Sequence, residues 1–123
     1  MTPRPRTGRP ERIPAINLES GMPLVRDALT QLDQELTRAR QRRDPVVKLI
    51  HGYGSTGAGG DIRIAVQKRL RELEDQGALR ACIFGENWTA SDSQTWDLVK
   101  LHPALKHDPD LGRRNRGITI VLL

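Results

Sequence analysis

A histidine followed by a run of glycines is the feature of this sequence best suited to chemistry. His51 follows the apolar segment 46–50 and precedes a glycine-rich stretch, Gly52 to Gly60. Glycine lets the backbone turn and lets a ligand approach closely, and the free N–H groups at the start of a following helix attract an anion. An imidazole with a pKa near neutrality can also act as a general acid or base. These residues predict a phosphate-binding loop, with a long turn that holds no ligand as the alternative.

The same loop matches a nucleotide-binding pattern whose structural context is missing. Gly52 to Gly57 fits G-x-G-x-x-G letter for letter, but no acidic residue ends a strand about 20 residues later, where ribose would be bound. Ala58 stands where a phosphate-binding P-loop needs a lysine. We therefore expect no nucleotide cofactor, and the sequence indicates no other cofactor.

Short apolar runs predict the strands that would position this loop. Four strands are expected, at 13–18, 46–50, 79–84 and 117–122. The second is mostly apolar and β-branched, which favours a buried, central strand. Cys82, the only cysteine of the chain, is expected to be buried in the third strand.

Helical periodicity supplies the remaining elements. Apolar residues recur at helical spacing over about 23–43 and 61–76, and a short helix with Trp96 in its core-facing stripe is expected within an insertion, 85–116. The order β-α-β-α-β-β predicts an α/β two-layer sandwich, with a four-stranded mixed sheet and both main helices on one face. The crossover through the first helix makes the first two strands parallel, with a right-handed connection.

Two basic clusters flank the predicted domain core in a chain whose net charge is +5. Residues 1–12 hold four arginines and one glutamate, and their prolines and glycine predict a disordered basic tail ahead of a domain at 13–123. Arg113, Arg114 and Arg116 form a second basic cluster before the last strand. Arginine clusters bind the phosphate backbone by releasing counterions, so the charge favours nucleic acid as the partner.

The segment Leu49-Ile50-His51-Gly52-Tyr53-Gly54, with the helix after it, resembles the His-Gly-x-Gly signature of the Smr (small MutS-related) domain. The closing segment 117–122 resembles the final strand of that family, and the resemblance spans about 13–123. The family fold is similar to the C-terminal domain of translation initiation factor three. Its members bind DNA or RNA, and several are endonucleases. The resemblance implies that His51, Gly52 and Gly54 line a nucleic-acid surface.

The first predicted strand departs from the family pattern. Most Smr domains have Leu-Asp-x-His-Gly at its end, whereas this chain has Asn17 and Glu19 in place of the acid and the histidine. Asparagine cannot take a negative charge, and glutamate is ionised at neutral pH. Cleavage is therefore left open, with His51, Glu19 and Asp61 as the candidate catalytic residues.

Further side chains near the loop complete the candidate site. Glu86 could join these carboxylates in an acid/base or metal site, although the sequence has no ligand spacing typical of a metal and none is assigned. The nucleic-acid-binding candidates are Gly52, Tyr53, Gly54, Arg113, Arg114 and Arg116. Tyr53 and Trp88 are candidates for stacking on unpaired bases, and Trp88 is equally suited to anchoring the insertion in the core.

Two functions follow. The first is a DNA- or RNA-binding Smr-like domain, with or without endonuclease activity. The alternative is a non-catalytic module that docks a protein or the ribosome through the insertion 85–116. No apolar run is long enough to span a bilayer, the N-terminus does not resemble a signal peptide, and a lone cysteine suits a reducing compartment. We therefore expect a soluble cytoplasmic protein.

Overall fold

The computed structural model describes residues 13–21, 23–53 and 58–123. The predicted basic tail and Gly54 lie outside these residues. The order β-α-β-α-β-β, with a short helix before the last strand, is confirmed. The elements are β1 (Ala15–Asn17), α1 (Val25–Gln41), β2 (Val46–Ile50), α2 (Ala58–Asp75), β3 (Ala81–Phe84), α3 (Ser93–Leu101) and β4 (Ile118–Leu122).

The four strands form one mixed sheet in the order β1-β2-β4-β3. β1 is parallel to β2, and β4 is antiparallel to both β2 and β3. Ile50 pairs with both Asn17 and Ile118, and Phe84 pairs with Thr119. The last residues of β1, β2 and β3 therefore lie at the same end of the sheet as the first residues of β4. We call this edge the site end of the sheet.

Both long helices cover one face of the sheet, as predicted. Their buried stripes repeat at intervals of three or four residues, which places them on one side of each helix. Val47 and Leu49 of β2 point to this face because side chains alternate along a strand. The stripes consist of Ala28, Leu32, Leu36 and Ala39 in α1, and Ile62, Val66 and Leu70 in α2.

The insertion covers the opposite face of the sheet. Trp88 is fully buried there and packs with Val46, Ile83, Ile118 and Ile120 of the strands. Leu98, Val99 and Leu105 complete this second cluster. Trp88 is thus a packing anchor, and its burial rules out stacking on a bound base. The segment 85–116 is an integral part of the core.

Trp96 is not a core residue, so that prediction was wrong. It is 49% exposed, whereas its neighbour Thr95 is fully buried. The single proton of the Thr95 hydroxyl is shared between the Asn87 carbonyl, at 2.8 Å, and the carboxylate of Asp92, at 3.0 Å; Asp92 also caps α3 by accepting from the Thr95 backbone N–H. These hydrogen bonds turn the threonine inward, and the tryptophan then lies on the outer side of the helix.

Candidate nucleic-acid interface

The site end brings His51, Gly52 and Tyr53, the described residues that follow β2, against the start of β4; we call this segment the histidine loop. The backbone N–H groups of His51 and Gly52 both donate to the Gly117 carbonyl, at 2.9 and 3.1 Å. Gly117 allows this approach, since a Cβ there would lie 3.4 Å from the Gly52 Cα and 3.3 Å from the Tyr53 ring. The two glycine-containing segments are therefore packed backbone to backbone.

The His51 side chain is buried and both of its ring nitrogens are engaged. Nδ1 lies 2.8 Å from the Gly52 carbonyl oxygen, and Nε2 lies 2.9 Å from the Thr119 hydroxyl. A carbonyl only accepts, so Nδ1 donates, and in the neutral ring Nε2 accepts from the hydroxyl. Burial lowers the pKa of His51 from 6.5. The ring is consequently neutral at physiological pH and joins the loop to β4.

Three charged side chains surround this histidine. Arg63 of α2 acts to lower the pKa of His51, while Glu19 and Glu86 act to raise it. The Arg63 guanidinium also donates to the Glu86 carboxylate at 3.1 Å. Asp61, the third predicted carboxylate, lies exposed in the first turn of α2.

Glu19 is placed beside the loop by a turn that Asn17 builds. The Asn17 side-chain oxygen accepts from the backbone N–H groups of Glu19 and Ser20, at 2.9 and 3.0 Å. A Cβ at position 52 would lie 2.7 Å from the Glu19 Oε1 atom, and Gly52 has a φ of +75°. The positive φ favours glycine at position 52, whereas the flexible Glu19 carboxylate could move away from a side chain there. Among the described residues, no group of three or more His, Cys, Asp or Glu side chains is arranged to hold a metal ion.

An arginine groove opens beside the histidine loop. Its volume is about 440 Å³, and it is lined by Tyr53, Arg113, Arg114, Asn115 and Arg116. The three arginines are exposed, and Tyr53 is 58% exposed. Arg114 has a φ of 55°, in the left-handed region that side chains rarely adopt. The groove therefore presents three guanidinium groups and one aromatic ring to solvent.

A buried ion cluster holds the arginine-bearing segment in place. Asn115 donates to Asp110 at 3.0 Å and accepts from the Gly117 N–H at 2.8 Å. Asp110 and Asp108 both accept from the ammonium group of Lys48, which lies in the middle of β2. Burial acts to lower the pKa of Lys48, but the hydrogen bonds to the two carboxylates outweigh it and the pKa is raised. The sheet thus fixes the loop that lines the groove.

Sequence reasoning missed several residues of this site. Arg63 and Thr119 act through partners distant in sequence, and nothing in the local pattern marks them. Asn115 bonds to its near neighbours Asp110 and Gly117. Lys48 did give a signal, because a lysine within an apolar strand predicted to be buried needs a carboxylate partner.

Comparison with known proteins gives one structural match. No family model matches the chain, and no curated protein shows significant similarity. The crystal structure of the Smr domain of Thermus thermophilus MutS2 aligns with a TM-score of 0.57 and 22% sequence identity. The alignment covers 90% of this chain and 98% of that one. The chain therefore has an Smr-like fold, as its histidine loop and order of elements predict.

In the described part of the chain, no helix is long and apolar enough to cross a bilayer.

Proposed function

We propose that this protein binds DNA or RNA at the site end of its sheet, with Arg113, Arg114 and Arg116 on backbone phosphates. The observation that carries the proposal is the arginine groove, where these side chains are exposed beside the histidine loop. Guanidinium groups match phosphate geometry and stay charged at any physiological pH. The Smr-like fold supports the proposal, because the family that the sequence resembles binds nucleic acid.

Salt dependence gives the proposal a quantitative form. Each phosphate neutralised on a single strand contributes about −0.7 to the slope of log K against log salt concentration, and about −0.9 on a duplex. Three arginine contacts therefore predict a slope of about −2 to −3 from the groove. Weak or salt-independent binding would contradict the proposal.

The test compares two arginine pairs by fluorescence anisotropy with a labelled oligonucleotide across a salt series. Arg113→Ala/Arg116→Ala removes two groove charges, and we expect the slope to become shallower by about 1.4 to 1.8 units. The control is Arg38→Ala/Arg42→Ala, which removes two exposed charges on and just after α1. An equal reduction of the salt slope in both double variants would show a general effect of net charge and would overturn the proposed site.

Strand cleavage is a separate prediction with its own test. His51 is buried with both nitrogens engaged, so we propose that it positions the loop, and that the exposed carboxylates Glu19 and Asp61 are the groups able to act on a bound strand. Glu19→Gln and Asp61→Asn, assayed on labelled single-stranded and duplex substrates, should slow cleavage while preserving binding. Cleavage unchanged in both variants would rule out these carboxylates.

The exposed side of α3 supports a second candidate function. Trp96 is 49% exposed and Leu101 is 69% exposed, on the outer surface of the insertion. These side chains suit a protein-docking surface better than a nucleic-acid surface. Co-sedimentation with purified ribosomes tests this function. Binding lost in Trp96→Ala/Leu101→Ala and retained in Arg113→Ala/Arg116→Ala would favour it.

A further inference from the structure

We infer that Tyr53 is a stacking platform for an unpaired base, so that the groove selects single-stranded or locally unpaired nucleic acid over a continuous duplex. This inference rests on the proposed function, because the platform and the arginines line the same groove. It adds the class of substrate and the residue that selects it.

The first support is the position of the Tyr53 ring. It is 58% exposed, although a side chain of this size usually buries most of its apolar area. The preceding backbone is fixed by the hydrogen bond from Gly52 to Gly117, and the ring lies against the Gly117 backbone. A Cβ at position 117 would lie only 3.3 Å from the Tyr53 Cδ1 atom. The ring therefore lies next to Gly117 and leaves more than half of its surface open to a ligand.

The second support is the composition of the groove around the ring. Among the described residues that line it, Tyr53 is the only aromatic one, and three of the other four are arginines. An aromatic ring beside phosphate-binding cations is the arrangement that single-strand-binding surfaces use. In a duplex, the neighbouring bases cover each π-face, whereas an unpaired base has a free face. Stacking on Tyr53 would thus be available to single strands, loops and frayed ends.

The other exposed or large aromatic side chains do not offer this platform. Trp88 is fully buried beneath the insertion. Trp96 lies on α3, where the Lys100 ammonium group sits 5.9 Å from the ring centroid, and it does not line the groove. A stacking contact at the groove therefore depends on Tyr53.

The experiment measures binding of the full chain to a labelled single-stranded DNA, a single-stranded RNA and a duplex of the same sequence. Tyr53→Ala should weaken binding to the single strands by about 5- to 150-fold, the range for loss of one stacked base. Tyr53→Phe should keep wild-type affinity because the ring remains, and Tyr53→Leu should not. Duplex affinity should change little in all three variants. A thermal unfolding curve for each variant checks that the fold is intact.

Each result bears on the inference. Weakening of both single-stranded probes with the duplex spared supports it, and a difference between the DNA and RNA probes shows which sugar is preferred. Equal weakening of single strands and duplex, or no effect of Tyr53→Ala, overturns the stacking role. The proposed function then still stands if Arg113→Ala/Arg116→Ala reduces binding. If Arg113→Ala/Arg116→Ala also binds nucleic acid normally, the proposed function and the stacking role are both wrong.

Discussion

His51 joins two backbone segments that lie far apart in the chain. Its Nδ1 atom donates to the neighbouring Gly52 carbonyl, and its Nε2 atom accepts from Thr119, 68 residues away. A neutral imidazole is well suited to this, since it has one donor and one acceptor in fixed directions. A protonated ring would have two donors, and the Thr119 hydroxyl could then no longer donate to it. The folded state therefore favours the neutral ring.

This preference predicts a pH dependence of folding. Burial lowers the pKa of His51 below 6.5, whereas the unfolded chain keeps the ordinary value. As the pH falls below 6.5, the unfolded state takes up a proton that the folded state does not, so stability decreases. The decrease from this group is at most about 1.4 kcal/mol per pH unit. Urea unfolding of the wild type at about pH 7.5 and pH 5.5 measures it.

Two variants isolate the contribution of His51. His51→Gln removes the titrating ring and should flatten the pH dependence between neutral and mildly acidic conditions. His107→Gln, at an exposed position, is the matched control and should leave it unchanged. If the unfolding free energy of His51→Gln changes with pH as much as that of the wild type, another group is responsible for the pH dependence.

At the scale of elements, β2 acts as the anchor for the arginine-bearing segment. The Lys48 side chain is only 10% exposed, and its partners Asp108 and Asp110 are 12% and 24% exposed. Asp108 also accepts from the Trp88 indole N–H at 2.9 Å. One cluster thus connects the central strand to the insertion and, through Asp110 and Asn115, to the arginine groove.

Removing the lysine should therefore destabilise the fold. Lys48→Met leaves two largely buried carboxylates without their cation, and breaking such a pair costs up to about 3–5 kcal/mol. Arg38→Met, which breaks an exposed pair with Glu35, should cost no more than about 1 kcal/mol. The unfolding free energy from urea titration distinguishes them.

A compensated variant checks the cause of this loss. Lys48→Met/Asp108→Asn/Asp110→Asn has no uncompensated carboxylate and should recover most of the stability lost by Lys48→Met. If the triple variant is as unstable as the single one, the loss comes from packing of the lysine side chain and not from charge.

The elements themselves could largely be predicted, because local patterns determine them. The β-branched run at 46–50 and the stripe in α1 are set by residues within a few positions of each other. The prediction that Trp96 lies in the core was wrong because the helix has only nine residues. Over so short a helix, apolar periodicity alone does not show that Thr95 faces inward. The role of His51 depends on Thr119, and register between distant strands is not encoded in the local sequence.

At the scale of the molecule, the two faces of the sheet are covered by different kinds of structure. α1 and α2 cover one face, and the irregular insertion with α3 covers the other. Residues of β2 and β4 are therefore buried on both sides. A function located in the insertion cannot be tested by deleting residues 85–116, because the deletion would expose the second apolar cluster.

The two tryptophans of the insertion give a matched test of this architecture. Trp88→Ala removes a fully buried side chain from the second cluster and should cost about 3–5 kcal/mol of unfolding free energy. Trp96→Ala changes the same residue type at a half-exposed position and should cost about 1 kcal/mol or less. Urea unfolding of both variants measures the difference. Comparable values would mean that the insertion packs against the sheet less closely than the buried Trp88 indicates. A large difference would make Trp96→Ala a folded variant in which docking through α3 can be separated from binding at the arginine groove.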